Sequence, residues 1–171
     1  MSASAHPLCI VVGYDGSPPA RAAVQLAVDR ARDGKIFIVC AYDAPGDYWG
    51  GEHYQELLSH SLNRGEQLLA RVALDADPRL ADVNHELELI AGRPAEAIAT
   101  VAGTRHADEI IVGSRGFGKV RSVLGSVAHE LLHEAACPVT VIPERALTQT
   151  ADAEDTIAPP TTRSSRYGVT G

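Results

Sequence analysis

The segment Gly113 to Ser126, GSRGFGKVRSVLGS, concentrates groups suited to holding an anion. Gly113, Gly116, Gly118 and Gly125 have no Cβ, so the backbone there can approach a ligand closely. Ser126 offers a hydroxyl donor, and Arg115, Lys119 and Arg121 add positive charge with no acid among them. An apolar run, EIIVG (109–113), precedes the glycines, and Gly125-Ser126 opens a helical pattern. A helix start presents free N–H groups and a partial positive charge, which favour phosphate. In open α/β sheets such devices gather at the carboxyl ends of the strands.

Other motifs can be tested on the same stretch. GSRGFGK satisfies G-x-x-x-x-G-K, but Val120 stands where a P-loop needs Ser or Thr to ligate Mg²⁺. The dinucleotide fingerprint G-x-G-x-x-G fails because Gly116-Phe117-Gly118 is followed by Arg121. HELLHE (129–134) fits H-E-x-x-H, the zinc-protease pattern. At about 100° per residue, however, His129, Glu130, His133 and Glu134 lie opposite Leu124, Ala128, Leu131, Leu132 and Ala135. A catalytic zinc also needs a third rigid ligand, and downstream only Glu144 and the acids of a polar tail remain. The motif reads as a solvated helix face.

The elements that must position these groups alternate along the chain. LCIVVG (8–13) is a continuous apolar run, as expected of a strand buried on both faces. Ser17 then caps a helix with Pro18 at its first position, running to about Asp33 and stopped by Gly34. KIFIVCAY (35–42) is a second buried strand. Tyr54, Leu57, Leu58, Ser61, Leu62, Gly65, Leu68, Leu69 and Val72 keep helical spacing for five turns. HELELI (85–90) alternates, with Leu87 and Leu89 inward and Glu86 and Glu88 outward, which suits an edge strand. Pro94 opens a helix to about Thr104, EIIVG is the fourth strand, a last helix spans about Ser122 to Ala136, and PVTVI (138–142) is the fifth strand. Alternation of this kind predicts one α/β domain over residues 1–143, a parallel sheet with helices on both faces. Residues 144–171 are polar, contain two prolines and few large aliphatics, and are expected to be a disordered tail.

Bulk composition narrows the partners. Net charge is −7, which argues against nucleic acid or an anionic membrane surface. The basic island at 113–121 stands out against that background and points to a small anion. No run of eighteen apolar residues offers a membrane span, and the N-terminus lacks the basic and apolar regions of a signal peptide. Cys9, Cys40 and Cys137 adjoin aliphatic runs and read as buried core thiols. An odd count without C-x-x-C fits a reducing cytoplasm.

Three blocks in order, VVGYDGS, GRPAEAI and GSRGFGKVRSVLGSVAHELLHEAACPVTVIP, resemble the universal stress protein family. They are similar to its ATP-binding branch, whose pattern is G-x2-G-x9-G-[ST], over about residues 7–143. Here eight residues, not nine, separate Gly116 from Gly125. The resemblance implies a Rossmann-like open five-stranded parallel sheet of order 3-2-1-4-5 and a homodimer formed through the last strand. It places Gly13, Tyr14 and Asp15 at the adenine end, with the backbone of Ala41 against the base. It assigns Gly113, Ser114, Arg115 and Gly116 to ribose and phosphates, and Gly125, Ser126 and Val127 to the phosphate tail. Phe117, Gly118 and Lys119 complete the glycine-rich loop, and Asp15 is the candidate ligand of nucleotide-bound Mg. Asp15 also suits a turn or helix-capping role in YDGS, and the two roles are compatible.

The expected function is regulatory binding of ATP or another adenine nucleotide, in a cytoplasmic stress-response protein. A slow ATP hydrolase or phosphotransferase is one alternative, although no general base poised over a γ-phosphate is evident. A structural dimer that binds no nucleotide is the other.

Overall fold

The computed structural model describes residues 6–42, 52–75, 78–114 and 124–144. Five strands and four helices alternate: β1 Cys9–Gly13, α1 Pro18–Ala31, β2 Lys35–Tyr42, α2 Glu52–Asp75, β3 Asn84–Ala91, α3 Pro94–Arg105, β4 Glu109–Gly113, α4 Ser126–Glu134 and β5 Val139–Ile142. A short 3-10 turn, Pro78–Asp82, leads into β3. All strand pairs are parallel, in the order β3-β2-β1-β4-β5. The parallel sheet read from the alternating pattern, and the order 3-2-1-4-5 that the resemblance implies, are those observed.

The two faces of the sheet explain why the inner strands β1, β2 and β4 are apolar along their covered length. Ile10, Val12, Ile36, Ile38, Cys40 and Ile111 point to one side, where Ala20, Ala23, Val24, Ala27 and Ala31 of α1 and Val72 of α2 cover them. Val11, Phe37, Val39, Ile110 and Val112 point to the other, against Ala95, Ile98 and Val101 of α3 and Ala128 and Leu131 of α4. A side chain alternates faces at each residue of a strand, so a strand covered twice must be apolar at every position. Small alanines on α1 let that helix lie close to the sheet.

Several local expectations need correction. Helix α1 ends at Ala31, not Asp33, because Arg32 turns to φ 43° and breaks the helical path. Gly34 is instead required by close packing, since a Cβ there would lie 2.0 Å from the Leu8 backbone oxygen. Leu89 packs on the core, but Leu87 on the same face of β3 is 37% exposed, since alternation assigns a face and not a cover. Glu86 and Glu88 do lie outward, where Arg105 reaches both and Lys35 bonds Glu86. Helix α4 starts at Ser126 and ends at Glu134, within the expected Ser122–Ala136; residues 115–123 lie outside the described residues. Of the thiols, only Cys40 is fully buried, while Cys9 and Cys137 are half-buried. The expected tail lies outside the described residues from position 145 onward.

Candidate functional site

The YDGS turn is built by its own side chains. Tyr14 extends the β1–β2 ladder, donating its N–H to the Val39 carbonyl at 2.9 Å. Gly16 then takes φ 82°, a conformation that L side chains resist. The Ser17 N–H donates to Asp15 Oδ1 at 2.9 Å, and Ser17 Oγ accepts the Ala20 N–H at 3.4 Å. Asp15 is therefore a turn acid and Ser17 the N-cap of α1. The turn leaves the Asp15 carboxylate exposed at the carboxyl edge of the sheet.

Glycines at the two central strand ends let helices close in around that edge. A Cβ on Gly13 would sit 2.5 Å from Ile98 Cδ1 and 3.0 Å from Val112 Cγ1. A Cβ on Gly113 would sit 2.8 Å from Pro19 Cβ and 3.1 Å from the Ala20 nitrogen. These contacts give both glycines a packing role in addition to any contact with a ligand.

The base of the glycine-rich segment is pinned. Ser114 donates its N–H to the Ile142 carbonyl at 2.7 Å, and its own carbonyl accepts the Gly125 N–H at 2.8 Å. The first hydrogen bond of α4 runs from the His129 N–H to the Gly125 carbonyl at 2.9 Å. The N–H groups of Ser126, Val127 and Ala128 precede that bond, so they have no acceptor within the helix, and the N-cap residue Gly125 offers no side chain to cap them. Gly125 has φ −62°, which any residue adopts, so it is not kept for a left-handed turn. At the flank, Arg93 just before α3 pairs with Glu130 of α4 at 2.7 Å and holds the two helices together.

These parts enclose a cavity of about 420 Å³. Gly13, Tyr14, Asp15, Ala41, Gly113, Ser114, Gly125, Ser126 and Val127 all line it. Nine residues singled out in the sequence thus meet at one place. Arg115, Gly116, Phe117, Gly118 and Lys119 lie outside the described residues. Sequence reasoning missed Ala20, Val39, Leu68, Pro94, Ile98, Val112, Leu124 and Ala128, which supply much of the apolar wall. Pro94 had a signal, since it sits in the GRPAEAI block; the others look like ordinary core positions.

The polarity of the site is uneven. One end carries the open N–H groups of α4, the middle is aliphatic, and the other end carries the Asp15 carboxylate. Beneath that end, burial and then the nearby Asp15 carboxylate push the Cys40 thiol up to about 12. The arrangement fits an elongated ligand with an anionic terminus and a flat or apolar body. A helix start and glycine-lined walls are features that suit an anionic group.

HELLHE lies away from this cavity. His129, His133 and Glu134 are exposed while Ala128 and Leu131 are buried, as the helical angles require. The two imidazoles meet edge-on with centroids 4.9 Å apart. Leu132, assigned to the apolar stripe, is instead 54% exposed, as nothing among the described residues covers the outer half of that stripe.

Comparison with known proteins gives a consistent answer. A sequence model of the universal stress protein family matches residues 9–143. A universal stress protein encoded in the QAH/OAS sulfhydrylase 3′ region of Thermus aquaticus is 39% identical over 137 residues, 78% of this chain and 96% of that protein. Among solved structures, UspA from Lactobacillus plantarum superposes with a TM-score of 0.63 at 25% identity, covering 81% of this chain and 99% of that one. A family member from Arabidopsis thaliana, solved with AMP bound, gives a TM-score of 0.59 at 20% identity over 87% of this chain and 99% of that one, a likeness of fold.

Proposed function

The chain belongs to the universal stress protein family, and from that premise we propose that it binds an adenine nucleotide, ATP foremost, as a regulatory stress-response protein. One observation carries the reading. The open N-terminus of α4, the glycine-ended strands β1 and β4, and Asp15 all face one cavity of about 420 Å³. A relative of the same fold carries AMP, which supports the choice of adenine.

The proposed roles follow from the chemistry of each group. The N–H groups of Ser126, Val127 and Ala128, with the Ser126 hydroxyl, would hold phosphate oxygens. Gly113 and Ser114 would lie along the ribose and phosphates, with Arg115, Gly116 and Lys119 as further phosphate-binding residues. Val39 and Ile98 would pack on the purine, with Gly13, Tyr14 and the Ala41 backbone at its rim and Leu68 toward the ribose. Asp15 would accept from ribose or base, or hold a nucleotide-bound Mg²⁺. In this reading residues 1–143 are the binding domain. Slow hydrolysis draws no support from the described lining, where Asp15 is the one carboxylate and already accepts the Ser17 N–H.

Native mass spectrometry of freshly purified protein tests the proposal. A mass increment matching an adenine nucleotide, lost after denaturation, is expected. Protein that stays at its apo mass after incubation with ATP and Mg²⁺ would count against it.

A further inference from the structure

A second cavity of about 370 Å³ adjoins the first and shares Asp15, Ala41 and Leu68 with it. Its other walls include Tyr42 at the end of β2 and Ser61 and Arg64 on α2. Ser61, Arg64 and Leu68 recur at helical spacing, so one face of α2 lines the space. That face is held close by Gly65, where a Cβ would lie 2.4 Å from Leu89 Cδ1 of β3. The long Leu68 side chain, which a Cβ on Gly16 would meet at 3.1 Å, stands at the junction of the two cavities.

Arg64 is the one cation on the described lining of either cavity. It shares the smaller space with the Asp15 carboxylate, yet the two form no ion pair, and Arg64 pairs with no other described residue. Along the joined trough the order is therefore helix N-terminus, apolar middle, carboxylate, guanidinium. A ligand complementary to that order has an anionic group at each end and hydrogen-bond donors between them. Each cavity alone falls in the range of about 300–1,000 Å³ that takes a small molecule, so the second is not needed to house one nucleoside monophosphate.

We infer that Arg64, Ser61 and Tyr42 form an annex that receives a second phosphoryl group of the ligand, carried on the ribose away from the 5′-phosphates. This rests on the adenine-nucleotide reading and names a narrower ligand class: nucleoside bisphosphates. The guanidinium supplies a planar donor fork for that phosphoryl group. The Asp15 carboxylate repels anions from the middle of the trough and keeps the neutral part of the ligand there.

The test is titration calorimetry of the full chain with AMP, ADP, adenosine 2′,5′-bisphosphate and adenosine 3′,5′-bisphosphate, on wild type and Arg64→Gln. ADP has its second phosphoryl group at the 5′ end and so controls for charge alone. At least one bisphosphate isomer should bind about tenfold more tightly than AMP, as expected of a charge-assisted contact. Arg64→Gln should abolish that gain and leave AMP and ADP within about twofold of wild type. If AMP binds but neither isomer gains, or if Arg64→Gln weakens all four ligands alike, the annex is overturned and the nucleotide site stands. If no ligand binds, both readings fall together.

Discussion

Ser114 and Gly125 are joined across the glycine-rich segment: the Gly125 N–H donates to the Ser114 carbonyl at 2.8 Å. Ser114 is anchored in turn to Ile142 of β5. The bond fixes where α4 begins, and hence where its three open N–H groups point. The Gly125 N–H is thus engaged within the protein while the residue still lines the cavity.

Gly125→Pro isolates that bond. Proline favours φ near −65°, close to the −62° observed at Gly125, so the helix start should survive while the donor is lost. Urea unfolding should show a loss of about 1 kcal/mol relative to Gly125→Ala, which keeps the N–H. Equal stability of the two variants would mean that the bond contributes nothing.

Gly113→Ala should be more damaging than Gly125→Ala. The new methyl would lie 2.8 Å from Pro19 Cβ and 3.1 Å from the Ala20 nitrogen, and backbone cannot move as a side chain can. Overpacking of this kind costs about 1–3 kcal/mol, read as a lower urea midpoint. An unchanged midpoint would show that α1 shifts freely.

Cys40 makes stability depend on alkaline pH. Burial and the Asp15 carboxylate push its thiol up to about 12, whereas an unfolded thiol titrates near about 8.5. The folded state therefore retains a proton that the unfolded chain releases. Stability from this source is complete below the unfolded value and falls as pH rises toward 12, by up to about 1.4 kcal/mol per pH unit. Cys9 and Cys137 shift in the same direction, chiefly through burial, so the readout is a difference. Between about pH 8 and pH 10.5, wild type should lose more stability than Cys40→Ala. Parallel pH curves would refute the assignment.

Assembly is expected at β5. Among the described residues this strand pairs with β4 alone, its four residues are half-buried, and Leu132 on α4 is 54% exposed. An open, uncharged edge of this kind invites a second strand. Sedimentation should give a dimer for wild type and a monomer for Val141→Lys. Val141 also packs on the core, so circular dichroism must show the variant folded. A folded variant with unchanged mass would rule out pairing through β5.

The fold was legible because a strand covered on both faces must be apolar along its covered length, and LCIVVG, KIFIVCAY after Lys35 and EIIVG after Glu109 are. The helix-start end of the cavity was legible for a similar reason: glycine, serine and a helix start are chemically distinctive. The apolar wall was not, because Val39 and Ile98 belong to the core as much as to the cavity. Arg64 left no mark either, since one exposed arginine on a long helix is ordinary until Asp15 and Tyr42 are seen beside it. Leu87 and Leu132 show the limit of periodicity, which gives the direction of a side chain but not what lies above it.

The central claim is that the α4 N-terminus holds the phosphates of an adenine nucleotide. Titration calorimetry of ATP, with and without Mg²⁺, against wild type and Ser126→Ala tests it most directly. Wild type should bind one ATP per chain. Ser126→Ala removes one hydroxyl donor to a charged group, a loss of about 1.5–3 kcal/mol or roughly ten- to hundredfold in affinity, with an unchanged circular dichroism spectrum. Absence of ATP binding by wild type in either condition, or equal affinity in the folded variant, would contradict the account.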